Sequence, residues 1–242
     1  MALPKLTTPE YTLTLPSTGE EIKYRAFLVK EQKLLMVANE SEDEKQILDA
    51  MTKLVSDCTF GKIDASVNPM FDIEYVFLHI RKQAVGSKID LNLTCPDDGI
   101  TQVPVSIDLD DVGVQMDVEH SMDIKLTDSI TIGFRYPQLK DVQGMPLNIS
   151  DFERVLILLI SCIETVTDGE EVHERIDMSN KEIEEFIESF TSEQLENVLK
   201  FFEDMPKLRH VVDVVNPKTN IKSEVLLEGI ESFLEWPSVM TA

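Results

Sequence analysis

The sequence predicts an α+β fold in which antiparallel β-hairpins are combined with helical segments. Several stretches alternate apolar and polar residues on both sides of a turn, a period of two that is typical of half-buried strands. Other stretches place apolar residues at helical spacing behind residues that cap helix N-termini. With 242 residues, of which 43% are hydrophobic, the chain is long enough to bury a substantial core.

Residues 1–67 are expected to form a hairpin followed by a pair of helices. Apolar residues alternate on both sides of a turn at residues 16–19, and residues 27–39 then carry apolar side chains at helical spacing. We place the start of the second helix at Ser41, because Glu44 three residues later completes a capping box.

Residues 68–137 are expected to form a third helix and one four-stranded antiparallel sheet. The helix, over residues 70–84, is apolar around most of its circumference, which indicates a position in the centre of a core. A hairpin within residues 88–112 and a second strand pair within residues 122–136 supply the four strands.

Residues 138–242 are predicted to be a helical region closed by a C-terminal hairpin. A segment interrupted by Pro and Gly marks its start. One helix is predicted over residues 152–165. Two further helices begin at capping boxes, Ser179 with Glu182 and Thr191 with Gln194.

The turns of two hairpins follow the pattern x-Pro-x-x-Gly/Asn, at residues 95–99 and 216–220. Zinc ribbons carry Cys-Pro-x-Cys-Gly at such turns because two thiolates three residues apart reach one tetrahedral metal. Here the first turn keeps only Cys95, with Asp98 at the second ligand position, and the later turn has Asn216 and Thr219. We interpret these hairpins as degenerate zinc-ribbon-like units held by hydrophobic packing without metal, with a structural zinc as the less favoured alternative.

One acidic segment has part of the spacing of a calcium loop. Asp108, Asp110, Gly113 and Glu119 occupy positions 1, 3, 6 and 12 of an EF-hand, but Val112 occupies position 5 and a predicted strand precedes the segment. A turn rich in solvated acids is therefore the favoured interpretation.

Other acidic residues stand in adjacent pairs. Acid–base catalysis by a pair of carboxyl groups requires the two groups to lie in different environments. The pairs lie in polar, turn-like stretches at residues 97/98, 110/111 and 170/171. The sequence has no phosphate loop, dinucleotide fingerprint or nucleophile elbow. A non-enzymatic protein is therefore favoured over the alternative, a metal-binding or hydrolytic enzyme that uses its acidic turns.

The charge balance restricts the partners. With 45 acidic and 22 basic residues the net charge is −23, which repels phosphate backbones and anionic lipids, so we expect neither nucleic-acid nor membrane binding. Three cysteines without a disulfide framework fit a reducing compartment. Without a signal-peptide pattern or an apolar run of about 18 residues, we expect a cytosolic protein.

A resemblance to a known family rests on three segments spread along the chain: IKYRAFLVKEQKLLMVA (residues 22–38), NPMFDIEYVFLHIRKQAVGSKIDLNLTC (68–95) and FFEDMPKLRHVVDVVNPKTNIKSEVLLEGIESFL (201–234). These segments are similar to the baseplate hub assembly family of T-even-type contractile-tailed bacteriophages. In two respects the chain departs from the family: Ala26 stands where a YRPF-type motif has Pro, and the hairpin turns lack cysteines that some relatives place there.

The resemblance implies a non-enzymatic protein of the tail baseplate hub that works through protein–protein contacts and needs no cofactor. It would act as an assembly factor in the host cytoplasm or be retained in the baseplate of the virion tail. Expected partners are other phage tail and baseplate hub proteins, with the tape-measure protein as a further candidate. A cytosolic chaperone-like adaptor unrelated to phages is another hypothesis.

Under that interpretation, function resides in surfaces. The candidate contacts are an aromatic pair around a cation, a basic helix face and a lone Trp, a residue type that interface hot spots favour. They are Tyr24, Arg25 and Phe27, then His79, Arg81 and Lys82, and finally Trp236. Core packing with a partly buried Arg is the alternative for the first two groups.

Overall fold

The computed structural model describes residues 6–41, 43–118, 120–143, 145 and 149–233. The chain forms two compact units: unit 1 comprises Met1–Gln115 and Lys207–Ala242, and unit 2 comprises Met116–Pro206. Helices are combined with small antiparallel sheets, so the predicted α+β class is confirmed. The division into segments 1–67, 68–137 and 138–242 stays a prediction.

The helices and strands follow one another in this order: β1 (Glu10–Thr14), β2 (Glu21–Arg25), α1 (Val29–Glu40), α2 (Glu44–Cys58), α3 (Met70–Val85), β3 (Lys88–Thr94), β4 (Gln102–Asp108), β5 (Gly113–Gln115), β6 (Asp123–Lys125), β7 (Ile130–Phe134), α4 (Leu139–Gln143), α5 (Asp151–Cys162), β8 (Ile163–Asp168), β9 (Glu171–Glu174), α6 (Asn180–Glu188), α7 (Ser192–Asp204), β10 (Lys207–Val215) and β11 (Lys222–Glu228). In the described ranges, no helix combines the length and the apolar character needed to cross a bilayer.

Helix α3 is the centre of the core of unit 1, as its sequence predicts. Its buried residues include Ile73, Val76, Phe77 and Ile80, each at most 1% exposed. The helix is apolar around most of its circumference because it packs against α2 and against strands β2, β5 and β10. The hairpins β1–β2 and β3–β4 add their inward-facing residues to the same core.

Unit 1 also contains a three-stranded sheet in the order β11-β10-β5. The predicted C-terminal hairpin is its β10–β11 pair, whereas the short strand β5 was not predicted. Gln115, the last residue of β5, stands opposite Lys207, the first residue of β10. The chain of unit 2 therefore leaves and re-enters unit 1 at neighbouring positions of one sheet.

Unit 2 is built on a four-stranded antiparallel sheet in the order β6-β7-β8-β9. Residues of β7 and β8 form a second core with the helices α5, α6 and α7; its fully buried members include Ile132, Leu159, Ile163 and Val198. The helices predicted to start behind Ser179 and Thr191 are confirmed as α6 and α7, each with its capping box.

The predicted four-stranded sheet was wrong in its membership. Strands β3 and β4 form a two-stranded sheet in unit 1, whereas β6 and β7 pair with β8 and β9 in unit 2. Alternation of apolar and polar residues identifies a strand but not the strand that pairs with it. The pairing of β6 with β7 was predicted, whereas the second partner of β7, strand β8, begins in a segment that was predicted as helix.

That helix prediction, over residues 152–165, was wrong at its end. Helix α5 ends at Cys162 and β8 begins at Ile163, so the region of residues 138–242 contains a second hairpin, β8–β9. The apolar run continues across the junction, and a continuous run of this kind does not separate a helix from a strand.

The start of α2 also differs from the prediction. Asp43, not Ser41, is its N-cap, and its carboxylate accepts hydrogen bonds from the backbone N–H groups of Lys45 and Gln46. The Ser41 hydroxyl instead donates to the Ala38 carbonyl at 2.6 Å, at the end of α1. Ser and Asp are both favourable N-cap residues, and in α2 the N-cap is Asp43.

Candidate partner-binding surfaces

Arg25 closes the junction between the first hairpin and the helix pair of unit 1. Its buried guanidinium donates to Glu31 Oε1 at 2.9 Å, to the Ala26 carbonyl at 3.0 Å and to the Asp57 carbonyl at 3.4 Å. The second oxygen of Glu31 accepts the Leu28 N–H at 2.8 Å. One side chain thus connects the end of β2, the start of α1 and the end of α2.

This ion pair is charged although it is buried. Burial alone would raise the pKa of Glu31, but hydrogen bonds from Arg25, from Lys30 and from the Leu28 N–H hold that pKa below its usual value. Burial likewise acts to lower the pKa of Arg25, and the hydrogen bond to Glu31 together with the charges of Cys58, Glu31 and Asp57 raises it above its usual value. The charges therefore stabilise each other inside the fold.

The aromatic residues that bracket Arg25 also belong to the core of unit 1. Tyr24 is 3% exposed, its ring centroid is 5.5 Å from that of Tyr11, and burial raises its pKa. Phe27 is partly buried against the same core. The structure thus gives all three residues contacts within unit 1, and a role for Tyr24, Arg25 and Phe27 in partner binding stays a prediction.

Unit 2 contains a second arginine in the same setting. Arg135 forms a two-pronged ion pair with Asp141, with N–O distances of 2.6 and 2.8 Å. The same guanidinium donates to the carbonyls of Tyr136, at 3.1 Å, and Ser161, at 2.7 Å. Asp141 also accepts the backbone N–H of Gln138 at 2.8 Å.

The two arginines bind different residues that occupy equivalent positions in the two units. In both units the guanidinium binds the carbonyl of the next residue, a carboxylate six residues on, and the carbonyl just before a buried cysteine at the end of a capped helix. We call each set an arginine clamp. Members of the first clamp are Arg25, Ala26, Glu31 and Asp57; members of the second are Arg135, Tyr136, Asp141 and Ser161.

The sequence reasoning singled out Arg25 but missed the second clamp. The signal was an aromatic residue followed by Arg, with Lys and an acid five and six residues after the Arg. It occurs twice, as Tyr24-Arg25 with Lys30-Glu31 and as Phe134-Arg135 with Lys140-Asp141.

The residues of the predicted basic helix face point in different directions. His79 and Lys82 lie on one side of α3, whereas Arg81, 8% exposed, lies on the other side of the helix. The His79 ring is 4.5 Å from Tyr75, and burial together with the Lys82 charge lowers its pKa. Lys82 forms an ion pair with Asp110. This helix face therefore does not present three free cations, and its role in partner binding stays a prediction.

His79 also lines a cleft of about 580 Å³ in unit 1. Its walls come from the turn of the first hairpin and from the segment between β4 and β5, and they include Leu15, Pro16, Asp110 and Val112. Of the predicted basic residues, His79 lines this cleft, and Lys82 contacts its wall through the ion pair with Asp110.

The three hairpins of unit 1 have the same turn. In each, the N–H of the fifth residue donates to the carbonyl of the first, and the fifth residue has a positive φ that Gly or Asn adopts at little cost. The first residues are Leu15, Cys95 and Asn216, and the fifth are Gly19, Gly99 and Asn220, with φ of 70°, 66° and 59°.

Two of these turns, at residues 95–99 and 216–220, are joined to each other by side-chain hydrogen bonds. Asp97 accepts hydrogen bonds from Asn216 Nδ2 at 3.0 and 3.1 Å and from the Thr219 hydroxyl at 2.6 Å. Asn216 is only 1% exposed, so this contact replaces the water that its amide would otherwise bind. We call this contact between the two turns the turn clasp.

Of the proposed ligand residues, Asp98 binds within its own turn and Cys95 is buried. The Asp98 carboxylate accepts from the Thr101 hydroxyl at 2.6 Å and from the N–H groups of Thr101 and Ile100, which lowers its pKa. Cys95 is buried, and burial raises the pKa of its thiol. Within the described residues, no group of three or more His, Cys, Asp or Glu side chains is placed to hold a metal. The zinc-ribbon likeness of these hairpins stays an interpretation.

The acidic segment around Asp108 lacks the flanking helices of an EF-hand. Strand β4 precedes it and β5 follows it. Asp108 accepts the backbone N–H of Asp110 at 3.1 Å, and Asp110 pairs with Lys82. Glu119 and Trp236, the remaining candidates, lie outside the described residues.

Comparison with known proteins identifies the class to which this fold belongs. The profile of the family described as T4 bacteriophage base plate protein matches residues 8–235, nearly the whole chain. The chain therefore belongs to the T4 bacteriophage base plate protein family, and the resemblance inferred from the sequence is confirmed.

One curated relative is the baseplate hub assembly protein gp26 of Enterobacteria phage T4. It is 26% identical to this chain over 233 residues, which cover 93% of the chain and 98% of that protein. No solved structure matches the chain. A structural role in a phage baseplate follows from the family membership.

Proposed function

We propose that this protein is a non-enzymatic component of the baseplate hub of a contractile-tailed phage, acting in hub assembly through protein–protein contacts. The observation that carries the proposal is the end-to-end match to a hub assembly protein, over 98% of the length of that relative. A match of this extent includes both units and not a single shared module.

The geometry of the candidate residues supports this proposal. Side chains that would serve a metal or hydrolytic site from the acidic turns are instead used inside the fold: Asp97 joins two turns, Asp98 stabilises its own turn, and Asp110 pairs with Lys82. With a net charge of −23, the exposed surface is suited to partners with basic surfaces.

The protein would act in the host cytoplasm while the hub is assembled, and then either leave or remain in the baseplate of the virion. Its partners would be other hub proteins, with the tape-measure protein as a further candidate. A chaperone-like adaptor that serves other cytosolic proteins is the competing hypothesis.

The test is a tagged copy of this chain expressed during infection by the phage that encodes it. We expect hub proteins to co-purify with it, and mass spectrometry of purified virions then tells whether it is retained. An unrelated acidic protein with the same tag is the control for charge. Recovery of host proteins alone, without any baseplate protein, would contradict the proposal and favour the adaptor.

A further inference from the structure

Unit 2 has a groove between one face of its sheet and helix α6. The groove has a volume of about 250 Å³ and an apolar floor formed by Ile130, Val166, Met178, Ile183 and Phe186. Asp168, His173 and Glu182 complete its lining. The proposed hub function does not account for this site; Glu182 from its lining was named from the sequence as part of a helix cap.

The fold explains why these side chains converge. Ile130 stands opposite Asp168, and Val166 stands opposite His173, so the four residues share one face of the sheet. Helix α6 begins behind Ser179, and its residues Ile183 and Phe186, three positions apart, face the same space.

The groove lies in the most acidic part of unit 2. Residues 168–188 contain nine acidic and two basic residues, a net charge of −7, while unit 2 as a whole has 21 acidic and seven basic residues, a net charge of −14. Both basic residues of this stretch already have partners: Arg175 donates to the Met178 carbonyl at 2.7 Å, and Lys181 pairs with Glu185 at 3.4 Å.

Two acidic residues face each other beside the groove, and one of them, Glu171, lies 3.9 Å from His173 Nε2. Asp168 and Glu171 stand directly opposite each other across the turn between β8 and β9, where Gly169 has a φ of 62°. Like charges at facing positions of a hairpin destabilise it. A basic group from a partner would remove this repulsion.

We propose that the groove binds a basic amphipathic helix of a partner protein, with an apolar side chain in the groove and Lys or Arg residues against its acidic rim. This inference rests on the proposed function and specifies the chemistry of one partner. The volume is below the roughly 300–1,000 Å³ of small-molecule sites, which favours the anchoring side chain of a peptide. The combination of an apolar floor and an acidic rim matches the helix-in-groove mode of recognition.

The first test measures binding of a fluorescent, helix-forming peptide of about 15 residues to the full chain. The peptide has Leu along one face and Lys elsewhere; one control peptide has Glu in place of Lys, and a second has the same composition in scrambled order. We expect only the amphipathic basic peptide to raise the fluorescence anisotropy, with an affinity that falls as salt is added. Equal binding of the scrambled peptide would overturn the proposal.

The second test uses two substitutions that change the charge equally. Asp168→Lys lies at the rim and creates an opposite-charge pair with Glu171, so the hairpin should fold at least as stably. Glu196→Lys is its control, because Glu196 is exposed on α7 and does not line the groove. We expect Asp168→Lys to weaken peptide binding about tenfold and Glu196→Lys by no more than about twofold. Equal losses in both variants would mean general charge attraction and would overturn the proposal.

A third substitution tests the apolar floor. Met178→Glu should abolish peptide binding while circular dichroism stays unchanged, because Met178 is partly exposed. If Met178→Glu instead leaves peptide binding intact and dissociates an oligomer of this chain, the groove binds a second copy and the proposal is wrong. The proposed hub function is tested separately: loss of peptide binding with retained co-purification of hub proteins overturns the groove alone.

Discussion

At the scale of residues, the two arginine clamps show how one side chain can determine a junction. A guanidinium has five N–H donors in a planar fork, so it can bind a carboxylate and backbone carbonyls of two other segments at once. Lys would supply the charge but not this geometry. The stability of each junction therefore depends on Arg25 and Arg135 in particular, not on positive charge in general.

Replacing Arg25 by Met should destabilise unit 1 by about 3 kcal/mol, because the buried Glu31 carboxylate, 3% exposed, would lose its buried partner and keep only Lys30 and the Leu28 N–H. The double variant Arg25→Met/Glu31→Gln should recover much of this loss. Urea unfolding followed by circular dichroism measures both. If the double variant were as unstable as the single one, packing of the Arg side chain would matter more than the ion pair.

The same ion pair predicts a pH dependence. The pKa of Glu31 in the folded protein lies below its ordinary value of 4.5, so its contribution to stability is present above about pH 4.5 and is lost as the pH falls through the folded pKa. The wild type should therefore lose more stability on acidification than Arg25→Met/Glu31→Gln does. Parallel thermal melts of the two proteins from neutral to acidic pH measure this difference.

The cysteines at the ends of the two clamps should be unreactive. Burial raises the pKa of Cys58 to about 11 and that of Cys162 to about 12, and thiolates are the reactive form. Cys95 is buried as well. At pH 8 a thiol reagent should modify none of the three in the native protein and all three in denaturant. Rapid modification of one cysteine without denaturant would show that its surroundings open.

At the scale of elements, the sequence was sufficient where the signal was local. Turns of the x-Pro-x-x-Gly/Asn type and the capping boxes at Ser179 and Thr191 involve neighbouring residues, and they were predicted correctly. The pairing of β7 with β8 is not local, and the junction between α5 and β8 lies within a continuous apolar run. Periodicity carries no information about either feature.

For the candidate surfaces, too, the sequence identified single residues but not all of their contacts. The sequence singled out Arg25, but its carboxylate partner Glu31 depends on how the chain turns between β2 and α1. The zinc-ribbon pattern drew attention to the turns at Cys95 and Asn216 but not to Asp97. In the structure, Asp97 is the residue that joins these two turns. Contacts between segments far apart in the sequence, such as that of Asp97 with Asn216, follow from the fold and cannot be derived from spacing.

The turn clasp can be tested with one substitution. Asp97→Ala should cost about 1–3 kcal/mol, because the Asn216 amide and the Thr219 hydroxyl lose their acceptor. Asp90→Ala is a matched control, since Asp90 is exposed on β3 and should change stability by less than about 0.5 kcal/mol. A chelator should leave the melting temperature of the wild type unchanged. Stoichiometric zinc in the purified protein would contradict the prediction that these two turns are joined without a metal.

At the scale of the whole molecule, the charge of −23 acts on the fold itself. Acidic residues repel one another, and raising the salt from about 0.02 to about 0.2 M shortens the range of this repulsion from roughly 20 to 7 Å. We expect the melting temperature to rise by about 2–4 °C over this range. A variant with Gln in place of Glu184, Glu185 and Glu188 should show a smaller rise. A fall with salt would mean that surface ion pairs outweigh the repulsion.

The facing positions of Gln115 and Lys207 have a consequence for how the chain can be cut. Opposite residues of an antiparallel pair lie about 5 Å apart, a gap that a two-residue Asn-Gly turn closes. Splicing out residues 116–206 and inserting such a turn would leave β5 and β10 as an ordinary hairpin. Residues 116–206 should therefore be removable as one insertion without breaking the sheet of unit 1. A phage that carries the shortened gene would reveal which steps of tail construction need these residues.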